Sequence, residues 1–148
     1  MAAADLALWL FVINLGIVFG AGLYEARIVV PMWAASPPES LQTPDSGRQF
    51  WAFVSTLPLT LLTLAGLALS WHPHGDRQHW WHLAAVIILV ERISTFAYFI
   101  PTMIRLQRAT EGATIAARLA LWSRLNYVRN ALALIGWIAA LTALTTPK

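Results

Sequence analysis

The chain has 148 residues, 58% of them hydrophobic and only 11% charged, with a formal net charge of +3. A soluble domain is roughly 25% charged, and so short a chain cannot cover this much apolar side chain, so composition points to a single-domain integral membrane protein. The absence of cysteine excludes disulfides, iron–sulfur clusters and thiolate chemistry, and ten basic residues scattered among seven acidic ones leave no nucleic-acid footprint.

Four spans are predicted in chain order, at about 5–30, 47–71, 79–107 and 116–144, each near the ~20 residues that cross ~30 Å of hydrocarbon. The opening "MAAADLALWLF" lacks a basic n-region and its apolar run is too long for a signal peptide, so it reads as a retained first span. That span is expected to stop at Pro31, which disfavours helix at the residue before it, and Gly16 and Gly20 form a small-xxx-small packing step. The stretch "AASPPESLQTPDSG" reads as an irregular loop, with Asp45 or Ser46 placed to cap the second helix and Pro58 marking a kink within it. "HPHGDRQ" leads into the third helix and "ATEGAT" separates it from the fourth. These short links favour an all-α, up-down-up-down four-helix bundle. Arg48, Arg105, Arg108 and Arg118 gather at the first and third connections, so the positive-inside rule puts those in the cytoplasm and the termini outside.

Charge intrudes where hydrocarbon is expected, in "GLYEARIVVPMW" (22–33), "VERISTFAYFIP" (90–101) and "LWSRLNYVRNAL" (121–132). On the third helix Glu91, Thr95, Tyr98, Thr102 and Arg105 are spaced 4, 3, 4 and 3, and on the fourth Trp122, Asn126 and Arg129 are spaced 4 and 3, so each set shares a face. Asn14, Ala21 and Glu25 form a similar seam on the first helix, and Phe53, Thr56, Thr60 and Thr63 on the second. Polar seams in lipid must face inward. At 1.5 Å per residue, Glu91 and Arg129 fall roughly 15 Å from the side of the first and third connections. The expected pairs are Glu91 with Arg129, and Glu25 with Arg124 or Arg92; together with Tyr24, Tyr98 and Trp122 they outline a charged pocket in one half of the membrane. Long basic chains near helix ends, such as Arg27, Arg105 and Arg108, read instead as snorkelling to the interface.

All four histidines, His72, His74, His79 and His82, fall within "WHPHGDRQHWWH". Their spacing matches no established ligand motif, and Trp71, Trp80 and Trp81 make an interfacial aromatic belt the favoured reading, with a metal on those histidines as the alternative. No histidine sits at mid-membrane depth to ligate haem and no lysine sits in any span to carry a Schiff base.

Taken together, "GLYEARIVVPMW", "FIPTMIRL" and "WSRLNYVR" resemble the anthrone-oxygenase-like family of small four-helix membrane proteins of bacteria and fungi. Pro31 with Trp33, the proline ending an aromatic-rich third span (Pro101), and the Trp122–Asn126–Arg129 step carry the likeness, which covers nearly the whole chain. The chain departs from the pattern at Asn126, often His in the family, and at Met103, where Asn is common. The resemblance implies an enzyme of a bacterial inner membrane that oxidises a hydrophobic aromatic substrate without an organic cofactor. In it Glu25 or Glu91 would act as base, Arg129 and Asn126 would hold the enolate, and Tyr24, Arg92, Tyr98, Trp122 and Arg124 would line the pocket. The expected partners are a hydrophobic small molecule and the lipid bilayer, with self-association a further option. The alternative readings are a non-enzymatic binder or transporter of an amphipathic anion or lipid, and a structural assembly subunit.

Overall fold

The computed structural model describes residues 3–42, 47–71, 75–109 and 112–147. Among these are four helices long and apolar enough to cross a membrane. They are α1 (Ala3–Ala35), α2 (Trp51–Leu69, entered through the helical turn Arg48–Phe50), α3 (Asp76–Arg108) and α4 (Gly112–Thr145). No strand occurs among the described residues. The proposed caps Asp45 and Ser46 lie outside them.

Pro31 does not end the first helix as expected: α1 continues through it to Ala35. A proline in a helix interior lacks the N–H donor and drives its ring against the carbonyl four residues back, at a cost of about 3 kcal/mol. This chain meets that problem three times in one way. The segments Glu25–Val29, Trp51–Thr56 and Thr95–Phe99 are π-helical, and each ends two residues before a proline, namely Pro31, Pro58 and Pro101. In each, the hydrogen bond spans five residues: Val30 N–H donates to Glu25 O, Leu57 to Ala52 O and Ile100 to Thr95 O. The wider turn moves backbone aside for the ring, and the helix goes on. Pro58 would leave the Val54 carbonyl unpaired, and Asn14 of α1 supplies the missing donor, Nδ2 to O at 3.0 Å. At Pro58, then, the helix carries a widened turn bonded to its neighbour.

All four helices contribute to one apolar core at the end away from the first and third connections, including Leu8, Phe11 and Leu15 (α1), Leu59 (α2), Trp81, Ala84 and Ile88 (α3) and Ala139, Ala140 and Ala143 (α4). Small residues let the backbones approach. A Cβ on Gly136 would lie 2.5 Å from Ile88 Cδ1, and one on Gly16 would lie 3.0 Å from the Trp137 ring, whereas one on Gly20 would meet nothing within 4 Å. The small-xxx-small step thus packs through Gly16 alone. At the other end, part of the loop expected to be irregular turns as a 3-10 helix, Glu39–Leu41, held by Ser40 Oγ donating to Trp33 O at 2.6 Å. It sets Leu41 into a second apolar cluster with Leu106, Ile115 and Leu119. Outward faces carry large apolar side chains, among them Ile13, Leu57, Leu61, Val128 and Ile138.

Gly136→Ala is expected to cost about 1–3 kcal/mol through overpacking against Ile88. Gly20→Ala, with open space around it, should be neutral or gain up to about 1 kcal/mol of helix propensity. Thermal unfolding of the two purified variants checks both.

Candidate functional site

The helices do not pack evenly along their lengths. Leu57–Leu69 of α2 packs against the first part of α3, but the π-helical start of α2 stands apart from the second half of α3. The cleft left between them has a volume of about 280 Å³, near the lower end of the ~300–1,000 Å³ usual for ligand pockets. Its walls are mainly aromatic and aliphatic, with Trp33, Trp51, Phe99, Met103 and Trp122 prominent, and its floor carries Glu25 and Arg129. Ala52, Ile100 and Ile104, exposed on the outer face, form the rim. All three π-helical segments contribute to it: Glu25 from the first, Trp51 and Thr56 from the second, Thr95 and Phe99 from the third.

Beneath the floor four charged groups alternate. Arg92 donates twice to Glu91, from Nε to Oε2 at 2.5 Å and from Nη2 to Oε1 at 2.7 Å. Thr95 Oγ1 donates to Glu91 Oε1 at 3.0 Å. Arg129 Nε stands 3.9 Å from Glu91 Oε1, and its Nη2 donates to Glu25 Oε2 at 3.4 Å. Two carboxylates and two guanidinia thus form a chain of zero formal net charge. Charges this deep must be paired, because their desolvation costs several kcal/mol each.

The two ends of the chain differ in tightness. Glu91 is 2% exposed, and both of its oxygens are engaged by short, charge-assisted bonds of the strong kind. Glu25 has one long bond and lines the open cleft. Arg129 is held loosely by both carboxylates, and its guanidinium carbon lies 4.7 Å over the Phe99 ring. Glu91–Arg92 is therefore the anchor, while Glu25–Arg129 is the pair with capacity left for a ligand.

Asn126 lies beside the Glu25 carboxyl. It is fully buried, and neither atom of its amide completes a hydrogen bond among the described residues. Its neighbour Asn130 ties α4 to α1, Nδ2 donating to Gly22 O at 3.1 Å. Arg92 Nη1 is also buried without a hydrogen-bond partner, and Arg92 lines a void of about 20 Å³ together with Glu91, Arg129, Ser55 and Asn130.

Of the residues singled out in the sequence, the structure brings together Glu25, Glu91, Arg92, Asn126, Arg129 and Trp122, whose Nε1 donates to Phe99 O at 3.3 Å. Glu91 does meet Arg129, but Glu25 pairs with Arg129 rather than with Arg124 or Arg92. Tyr24 is 62% exposed and Arg124 is also exposed, so both turn away from the cleft. The π-helical turns explain the seams that fail, since each wide turn resets the phase of the helix. Phe53, inside the π-helical start of α2, is 68% exposed instead of facing inward. On α3, Glu91 and Thr95 face the charged chain, whereas Tyr98, Thr102 and Arg105, within or past the π-helical turn, line a different pocket against α4. Thr95 belongs to the seam that the spacing turns inward, but Trp51 and Phe99 stand in neither seam nor expected pocket; the proline that follows each π-helical segment is the signal that marks them.

The histidine alternative falls partly on His72 and His74, outside the described residues. His79 is exposed, and His82 Nδ1 stands 3.2 Å from Ser70 Oγ with its ring edge-on to Trp71. Among the described residues no group of three His, Cys, Asp or Glu could hold a metal ion.

Comparison of the chain with protein-family models, with curated proteins and with solved structures finds no match.

Removing the anchor should unfold more than removing the ligand-facing end. Glu91→Ala leaves Arg92 and Arg129 without their shared carboxylate, and a loss of about 3–5 kcal/mol is expected. Glu25→Gln keeps shape and an acceptor for Arg129 but leaves the chain one positive charge in excess; beside the open cleft, with Glu91 still near Arg129, it should cost less than Glu91→Ala, about 1–3 kcal/mol. Denaturant unfolding of the purified variants measures the difference.

Proposed function

We propose that this chain is an integral membrane protein whose helices cross the bilayer up-down-up-down, and that it binds a hydrophobic aromatic molecule in the α2–α3 cleft and oxidises it there. The single observation that carries this reading is the cleft, with aromatic walls, a rim on the apolar outer face, and a carboxylate with a guanidinium on its floor. Outward Leu, Ile, Val and Phe side chains suit lipid better than water. The contacts Gly22–Asn130 with Gly16–Trp137, and Phe99–Trp122 with Ile88–Gly136, run in opposite chain directions, which supports the alternating topology. Arg105, Arg108 and Arg118 near the third connection support a cytoplasmic side there.

The chemistry follows from the resemblance to anthrone-oxygenase-like proteins. Glu25 takes the proton from an acidic C–H conjugated with a carbonyl, Arg129 holds the resulting enolate oxygen, and Asn126, fully buried beside Glu25 and outside the lining of the cleft, acts by positioning that carboxyl. Dioxygen is the oxidant: the enolate carbon forms a C–O bond to it, the resulting peroxide takes the proton back from Glu25, and loss of water from that hydroperoxide leaves a second carbonyl at the former methylene. Trp33, Trp51 and Trp122 line the cleft, an apolar aromatic wall suited to an aromatic ring system. Glu25 suits the role of base better than Glu91, whose oxygens are committed to Arg92 and Thr95.

The test uses the full chain in mild detergent with a tricyclic aromatic ketone bearing an acidic methylene, following probe binding and oxygen uptake. Glu25→Gln should lower oxidation about 10²–10⁴-fold with little change in probe affinity, and Trp51→Ala should weaken binding. Oxidation by Glu25→Gln at the wild-type rate overturns the catalytic assignment. Probe affinity equal in wild type and Trp51→Ala overturns the cleft as the binding site.

A further inference from the structure

A second pocket lies on the opposite side of α3 from the cleft, between the last turns of α3 and the first turns of α4, with a volume of about 270 Å³. Its polar lining comes from Arg105 and Thr102 on α3, and from Arg118 and Thr114 on α4, with Tyr98 at its edge. Its described lining contains no Asp or Glu. Among the described residues neither arginine has a carboxylate within ion-pair distance, since the ion pairs found are those of Arg77, Arg92 and Arg129. Arg105 and Arg118 are both exposed and line this one pocket from two helices, so an anion seated between them gains two charge-assisted hydrogen-bonded contacts. The guanidinium fork matches phosphate oxygens, and the threonine hydroxyls add donors.

The rest of the lining decides what accompanies the anion. The floor is closed by the buried Leu106 and Ile115, which belong to the cluster capped by Leu41. Leu121, 52% exposed, carries the pocket onto the apolar outer face of α4. A polar basic end continuing into an apolar outer surface, at the end of two span-length helices, is the arrangement in which basic pockets between helices hold lipid headgroups.

We propose that Arg105 and Arg118, with Thr102 and Thr114, form a binding site for a phosphate group, supplied by an anionic phospholipid whose acyl chain lies along Leu121. The site is separate from the α2–α3 cleft, and it rests on the proposal that the chain is inserted in a membrane. Arg105, which read in the sequence as a snorkelling side chain, thereby gains a ligand.

The full chain is purified in mild neutral detergent and examined by native mass spectrometry with phosphatidylglycerol, with phosphatidylcholine and with inorganic phosphate. Wild type should retain phosphatidylglycerol in preference to phosphatidylcholine, and the double variant Arg105→Gln/Arg118→Gln should lose that retention by about tenfold or more. Arg105→Lys/Arg118→Lys should restore part of it, because the charge returns without the fork. Helical circular dichroism and thermal midpoint of the double variant in lipid-free detergent should match wild type. Equal retention of the two lipids by wild type overturns the proposal even if the double variant misfolds, and equal retention of phosphatidylglycerol by wild type and a folded double variant overturns it as well. Inorganic phosphate competing at equal concentration with the lipid would overturn the lipid as source while keeping the anion chemistry. Recovery of the chain from the soluble fraction of cells, instead of the membrane fraction, would sink the membrane reading itself.

Discussion

The arrangement depends on one constraint: four charges buried together must neutralise one another. The chain Arg92, Glu91, Arg129, Glu25 draws on α3, α4 and α1, so it closes only when those three helices are in one particular register. A slip of α4 by a turn, about 5.4 Å, would carry Arg129 away from both carboxylates and leave charges buried alone. Apolar packing at the other end fits closely in shape, as at Gly136 against Ile88, but its Leu, Ile and Ala contacts carry no charge that a slip would strand. Glu91 does most of this positioning, since its oxygens are already filled. Glu25 and Arg129, less tightly held, keep room for a ligand.

The prolines set the second constraint. Three helices would each clash at a proline, and each opens a π-helical turn just before it. Those turns fall where the helices border the cleft, so one backbone device both spares the helices and shapes the site. The wide turn delivers Glu25 inward on α1. On α2 it helps leave Trp51 and Thr56 apart from α3, which is the opening itself. On α3 it splits one polar seam into two, sending Thr95 to the charged chain and Tyr98, Thr102 and Arg105 to the far side. One helix thus serves two pockets of different chemistry, one aromatic with a paired floor, the other basic without a described counter-charge.

The molecule is polar along one half and plain along the other. Leu8, Phe11, Ile88 and Ala140 fill the end away from the cleft with nothing ionisable among them, and the ion pair Arg77–Asp5, 2.8 Å, joins α1 to α3 at its margin.

The sequence by itself determined the class and the count: hydropathy gave four helices, and 4-3 spacing put Glu91 with Thr95, and Trp122 with Asn126 and Arg129, on inward faces. It paired Glu91 with Arg129 and gave Glu25 a basic partner, Arg124 or Arg92, because charge inside an apolar span has few alternatives to pairing. It read α1 as ending at Pro31 and Phe53 as facing inward, because spacing arguments assume 3.6 residues per turn and cannot see where a proline widens the helix. Only the tertiary structure decided that Glu25 meets Arg129 rather than Arg124, that Tyr24 and Arg124 turn outward, and that α2 diverges from α3 to leave a cleft. Those outcomes depend on how helices are rotated and spaced against one another. That is set by contacts such as Gly136 on Ile88 and Asn14 on Val54, between residues far apart in the chain, and local periodicity carries no record of them.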